Sequence, residues 1–218
     1  VLNSNTRKKS LSGWLKNNYE QEFSNGLKLQ KFLFFYEALS KIDNDDYDFN
    51  YLKGYKRGPV FSNVYGDYTY RKDEFINAAD EAYQLKPELI NEERARFSGF
   101  LTRVLNEEEL SDLTHEMNIW NEKELEIMSE VKQIPLNEDD LNENDVSLME
   151  TLRQTYPSNF INSTVVIEVE DKSFVIDKDD FNKLTEEQQN LLLTLSDNDE
   201  LENPVYVKIS EDGVLLVD

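Results

Sequence analysis

Apolar residues fall at helical intervals over the first two thirds of the chain and at strand-like intervals in its last quarter. The densest stretch follows Gly26. Leu29, Phe32, Leu33, Tyr36 and Leu39 form one helical stripe, and Phe34 and Phe35 add aromatic surface outside it. A helix apolar around so much of its circumference is expected at the centre of the core. Upstream, Leu11, Trp14, Leu15 and Tyr19 predict an amphipathic helix over 10–23, with Ser10 as its cap. Downstream, Phe75, Ala78, Ala79, Ala82 and Tyr83 predict a helix over 73–85 that Lys86-Pro87 stops, with Pro87 able to open the next. Phe97, Phe100, Leu101, Val104 and Leu105 predict a helix over 89–105, and shorter helices are expected from Glu107 and over 122–133.

The segment between the first helices reads differently. Phe49 to Tyr55 alternates loosely and carries aromatic residues, which suits a short strand. Gly58-Pro59 predicts a turn, because proline presets its own φ and glycine accepts conformations closed to other residues. Val60, Phe61 and Val64 then predict a short helix, with Pro59 near its first position.

Beyond residue 135 the pattern changes again. Asn137 to Asp145 is polar and acidic, as expected of a connector, and a helix is expected over 146–156, ending before Pro157. Thr164–Val169 and Ser173–Ile176 flank Glu170-Asp171-Lys172, a hairpin pattern. A helix follows over 181–195, with Thr185 and Gln188 at capping-box spacing. Val205–Ile209 and Val214–Val217 flank Glu211-Asp212-Gly213, a second hairpin with a favoured Asp-Gly turn. The expected fold class is therefore α+β: a mainly helical N-terminal domain over 1–134 with a small β element, an acidic connector with a helix over 135–163, and a small antiparallel ββαββ region over 164–218.

Charge changes the picture more than any other bulk property. The 218 residues carry a net charge of −22. Residues 1–134 hold 18 basic and 24 acidic side chains, and the rest hold 5 and 21, so the acidity is concentrated in the last third. Phosphate repulsion argues against direct nucleic-acid binding by that third. A basic protein partner fits it, and so does plain solubility. No apolar run approaches the roughly 20 residues that span a bilayer, and Thr6-Arg7-Lys8-Lys9 leads into no signal-peptide core, so no membrane association and a cytoplasmic location are expected. With no cysteine, disulfides and thiolate chemistry are excluded.

Candidate chemistry is sparse. His115 is the one histidine, and Ser111 lies one helical turn before it. A small hydrolase built on that pair would lack both a nucleophile elbow and an oxyanion loop, so a structural role is expected for Ser111, Thr114, His115 and Trp120, with no catalytic residue. One histidine and no cysteine also argue against zinc. The acidic run Asp43 to Asp48 lacks the glycine turn and closing glutamate of a calcium loop. Seven glycines form no phosphate-binding loop, so neither metal nor cofactor is expected. Tyr55, Lys56, Arg57 and Tyr65 offer an aromatic and basic patch on an acidic molecule, of the kind that anchors protein interfaces. The competing reading packs both tyrosines on the central helix and pairs Arg57 internally.

The run Leu27-Lys-Leu-Gln-Lys-Phe-Leu-Phe-Phe-Tyr-Glu-Ala38, then Tyr55-Lys-Arg-Gly58-Pro59-Val60 with Val64-Tyr65, then Leu110-Ser111-Asp-Leu-Thr114-His115 with Trp120, occur in an order that resembles the Panacea (SocA-like) antitoxin domain. The resemblance covers residues 10–132. Ile119 stands where the family usually has proline, and Tyr55 lies near its usual tryptophan. What the resemblance implies is a mainly helical domain that neutralises a cognate toxin by direct binding. The Gly-Pro block and its aromatic and basic neighbours, Tyr55, Arg57, Gly58, Pro59 and Tyr65, are taken from their residue types as candidate partner contacts. The toxin would be a protein, and a basic one suits the charge. The acidity leaves an alternative, a phage-type inhibitor that mimics the charge of DNA.

Overall fold

The computed structural model describes residues 1–129, 131 and 133–218. Its helical part begins with α1 (Thr6–Asn18), α2 (Glu20–Ser24) and α3 (Gly26–Ile42), followed by strands β1 (Leu52–Tyr55) and β2 (Gly58–Phe61). Helices α4 (Ser62–Tyr70), α5 (Lys72–Leu85), α6 (Glu92–Val104), α7 (Glu107–Glu116), α8 (Asn118–Asn121) and α9 (Glu124–Met128) come next. Strand β3 (Ile134–Pro135) precedes α10 (Glu143–Thr155) and α11 (Ser158–Ser163). The chain ends with β4 (Thr164–Val169), β5 (Lys172–Asp177), α12 (Lys178–Phe181), α13 (Glu186–Ser196), β6 (Val205–Ile209) and β7 (Leu215–Val217).

The α+β class holds, and α3 is central as its apolar circumference implies. Every residue from Lys28 to Ser40 is buried, with α1, α2, α4, α6, α7 and β2 packed around it. Helix α1 crosses α5 closely at Gly13, where a Cβ would fall 2.2 Å from the Ala79 carbonyl oxygen. The cap of α1 is Asn5, which accepts from the Lys8 amide, and Ser10 is buried inside the helix instead. The expected helix over 181–195 begins only at Glu186, as α13, because the Thr185–Gln188 capping box is formed there, while Phe181 ends the short α12. Of the expected helix over 122–133, α9 is the helical part, and residues 130 and 132 lie outside the described residues.

The Gly58-Pro59 region departs from expectation. Gly58 to Phe61 is a strand, and the helix starts only at Ser62. The turn is Lys56-Arg57, with Tyr55 opposite Gly58 and Gly54 opposite Pro59. Strand order β2-β1-β3 leaves β2 at an edge, the position where a sheet tolerates proline.

Residues 135–163 are not a detached connector. Ile134 pairs with Gly54 on the free side of β1, and Leu136, Leu141, Met149, Tyr156 and Ile161 are buried in the same core as α3. Arg153 of α10 reaches Asp43 at 2.5 Å, and the buried Asp145 carboxylate accepts from the amides of Asn118 and Ile119 at the start of α8. Burial pushes the Asp145 carboxyl up, against those hydrogen bonds.

The last region keeps two hairpins on either side of a helical crossover, with the short α12 added before α13, and both hairpins are antiparallel; the first turns at Glu170-Asp171, because Lys172 already pairs with Val169. The sheet as a whole is mixed, in order β4-β5-β6-β7, because the helical crossover returns β6 parallel to β5. Phe174, Ile176, Val205 and Val207 pack with Leu192 of α13 in a separate small core, while Val166, Val175 and Tyr206 face the helical domain. Ser173 and Asn203 bind the Arg103 and Val104 carbonyls at the end of α6. Among the described residues no helix is long and apolar enough to cross a membrane.

Candidate functional site

The segments that carry the resemblance meet in space. Gln30 of α3 accepts from the Phe61 amide at 2.8 Å, which attaches β2 to the central helix. The next residue, Lys31, is 1% exposed. Its Nζ donates to the Arg57 carbonyl at 2.5 Å and to Thr114 Oγ1 at 2.6 Å, joining α3, the hairpin turn and α7. Thr114 Oγ1 in turn lies 3.1 Å from the Leu110 carbonyl, which fixes it on its own helix. Gly58 has φ +112°, and a Cβ there would fall 2.0 Å from Lys31 Nζ and 2.4 Å from Thr114 Oγ1. Both its backbone and its space thus require glycine.

Among the described residues Lys31 has no carboxylate partner. Burial, reinforced by the Arg57 charge, lowers its pKa to about 7. His115 stacks on Trp120 with ring centroids 4.0 Å apart, and Trp120 Nε1 donates to the Tyr55 carbonyl at 2.9 Å. Burial and then the Lys31 charge lower the His115 pKa. Ser111 donates its hydroxyl to the Glu107 carbonyl at 2.8 Å, and His115 Nε2 is buried without a hydrogen-bond partner among the described residues. The geometry therefore gives no support to a Ser111–His115 dyad, and it gives Thr114 and Trp120 tethering roles.

Outside this buried cluster the turn is open. The Arg57 side chain is 57% exposed and sits 3.6 Å from the partly exposed Glu107. Tyr55 and Tyr65 pack on each other at 5.9 Å, and Tyr65 is 42% exposed. Leu125 and Met128 of α9 are exposed as well, while Ile127 between them packs against Gly54. Of the expected contact residues, Arg57 and Tyr65 lie at the surface, Tyr55 is half-buried, and Gly58 and Pro59 are buried behind them.

The acidic run after α3 is partly neutralised by cations, although Asp45 and Asp46 remain exposed. Asp43 binds Arg94 and Arg153, Asp45 binds Arg94, and Asp48 lies 3.5 Å from Lys8. Among the described residues no group of three or more metal-ligating side chains is assembled.

Lys31 and Gln30 escaped the sequence reading. Their signal is a polar pair inside an otherwise apolar run, which the helical stripe alone assigns to an exposed edge. Comparison with protein-family models, with curated proteins and with solved structures finds no match. The likeness to the Panacea domain rests on its motif residues.

Proposed function

We propose that this protein is a cytoplasmic antitoxin-type inhibitor that binds a cognate protein toxin through the face around Arg57 and Tyr65. The observation that carries the reading is the convergence of the motif segments on Lys31. That cluster fixes the hairpin turn from behind, so Arg57 and Tyr65 are presented on a rigid support. Preorganised aromatic and arginine side chains lose little entropy on binding and are typical interface anchors. The chemistry is association: the toxin is blocked by a shape-matched interface, and the acidic C-terminal region speeds encounter with a basic partner.

The test is co-expression with the candidate toxin encoded beside this chain, with growth as the readout. The double variant Arg57→Ala/Tyr65→Ala should keep the native melting temperature and lose protection. Full protection by that variant overturns the proposed face. The alternative, a mimic of DNA charge, is favoured only by the acidity. It predicts that added duplex DNA competes with the partner and that affinity falls steeply with salt, whereas an interface of the proposed kind loses mainly association rate.

A further inference from the structure

The last sheet ends on one side in β4, and among the described residues the β4 backbone makes no hydrogen bond beyond its ladder with β5. A groove of about 420 Å³ runs beside it. Every residue from Val165 to Val169 lines that groove, although successive side chains of a strand point to opposite faces. Both sets can border one groove only where it follows the edge of the strand. Gln21 of α2 stands on one side, and Phe181, Leu192 and Leu193 stand on the other. Leu193 is 57% exposed. An open strand edge beside an apolar wall is the arrangement by which sheets accept a strand from another chain.

Charge selects the occupant. Residues 164–218 carry 15 acidic and 4 basic side chains, a net charge of −11. Glu168 and Glu170 are exposed on the strand and at its hairpin tip, and Glu186 and Glu187 are exposed in the first turn of α13. Lys28 reaches Glu168 at 3.7 Å, leaving the other three carboxylates without a salt bridge among the described residues. Edge-to-edge pairing of two copies would bring two such acidic regions together. A segment with cations and apolar residues in alternation would instead place its apolar side chains on the α13 wall and its cations among the carboxylates.

We infer that β4 is a docking edge for an extended basic segment of a partner protein, which joins the sheet as an outer strand with its apolar side chains in the groove between β4 and α13. The inference does not depend on the toxin reading, because this edge belongs to a different sheet from the Arg57 turn.

The probe is a labelled peptide of alternating lysine and valine or isoleucine, added to the full-length chain, with a version N-methylated at alternate amides as control. Binding should slow amide exchange at alternate residues of β4 and leave β7 unchanged. N-methylation, or the variant Leu193→Asn, should weaken it about tenfold, the former by removing ladder hydrogen bonds and the latter by removing apolar contact. Absence of binding, equal binding by the N-methylated peptide, or protection away from β4 overturns the inference. So does a dimer of the free chain that Leu193→Asn dissolves, since the occupant would then be a second copy.

Discussion

Two lysines lie fully inside the helical domain, Lys8 on α1 and Lys31 on α3, and their surroundings are opposite. Lys8 Nζ lies 2.5 Å from the buried Glu37 carboxylate and 4.2 Å from the centre of the Phe61 ring. Glu37 also receives Arg7 at 2.9 Å and the Asp48 amide at 3.0 Å. Burial lowers the Lys8 pKa, and the neighbouring Glu37 and Asp48 carboxylates offset part of that cost. Among the described residues Lys31 meets neutral oxygens alone, with the charge of Arg57 as a further penalty. One site is a closed ion cluster that holds α1 on α3. The other is a proton-poised amine directly behind the exposed turn.

The contrast breaks most visibly at Glu37. Replacing it with alanine strands Lys8 and Arg7 inside the core, and breaking a buried pair in this way costs about 3–5 kcal/mol. Urea or thermal unfolding of Glu37→Ala measures it. A loss below about 1 kcal/mol would mean that Lys8 is neutral in the folded protein and that the two sites are alike.

Gly58→Ala should act next in size, and on the Lys31 cluster alone. The new Cβ meets Nζ and Thr114 Oγ1 at a positive φ, so a loss of about 2–3 kcal/mol is expected. Part of it should disappear when Lys31 is also shortened to alanine, which a double-mutant cycle reads directly. Strict additivity would remove the steric contact from the account and leave only the backbone conformation.

The smallest expected effect distinguishes the lysines by pH. Burial brings the Lys31 pKa to about 7 in the folded protein, against the ordinary lysine value of 10.5 in the unfolded chain. Between those values the unfolded chain holds the proton and the folded chain does not, so stability rises with pH across that window. Below about 7 the full cost of burying the charge is present. From pH 7 to pH 9 the native protein should therefore gain roughly 2 kcal/mol from this group, and Lys31→Met should lose that gain. An identical pH profile in both proteins would show that Lys31 keeps its proton.

What could be read from the sequence follows from how locally each feature is determined. The stripe from Leu29 to Leu39, the Thr185–Gln188 box and the Glu211-Asp212-Gly213 connection each state their geometry within a few residues. Pro59 does not, because the same ring suits a first helical turn and an edge strand, and only the pairing with Gly54 decides. Lys31 was hidden because a lysine among apolar residues ordinarily reaches water, and its burial depends on α7, far along the chain. Met149, Tyr156 and Ile161 are scattered among polar residues, so their place in the core is set largely by tertiary contact. The surface candidates Arg57 and Tyr65 were legible as residue types, and the support behind them was not.

The late return of the chain to β1 has a consequence for synthesis. Helix α3 is complete at Ile42, yet residues that join its core include Ile134, Met149 and Ile161. At ordinary translation speeds the interval between them is on the order of ten seconds. During that time an aromatic-rich helix leaves the ribosome without its full covering. A chain cut between those points would keep part of that apolar surface uncovered, so such a fragment is expected to aggregate more readily than the full chain.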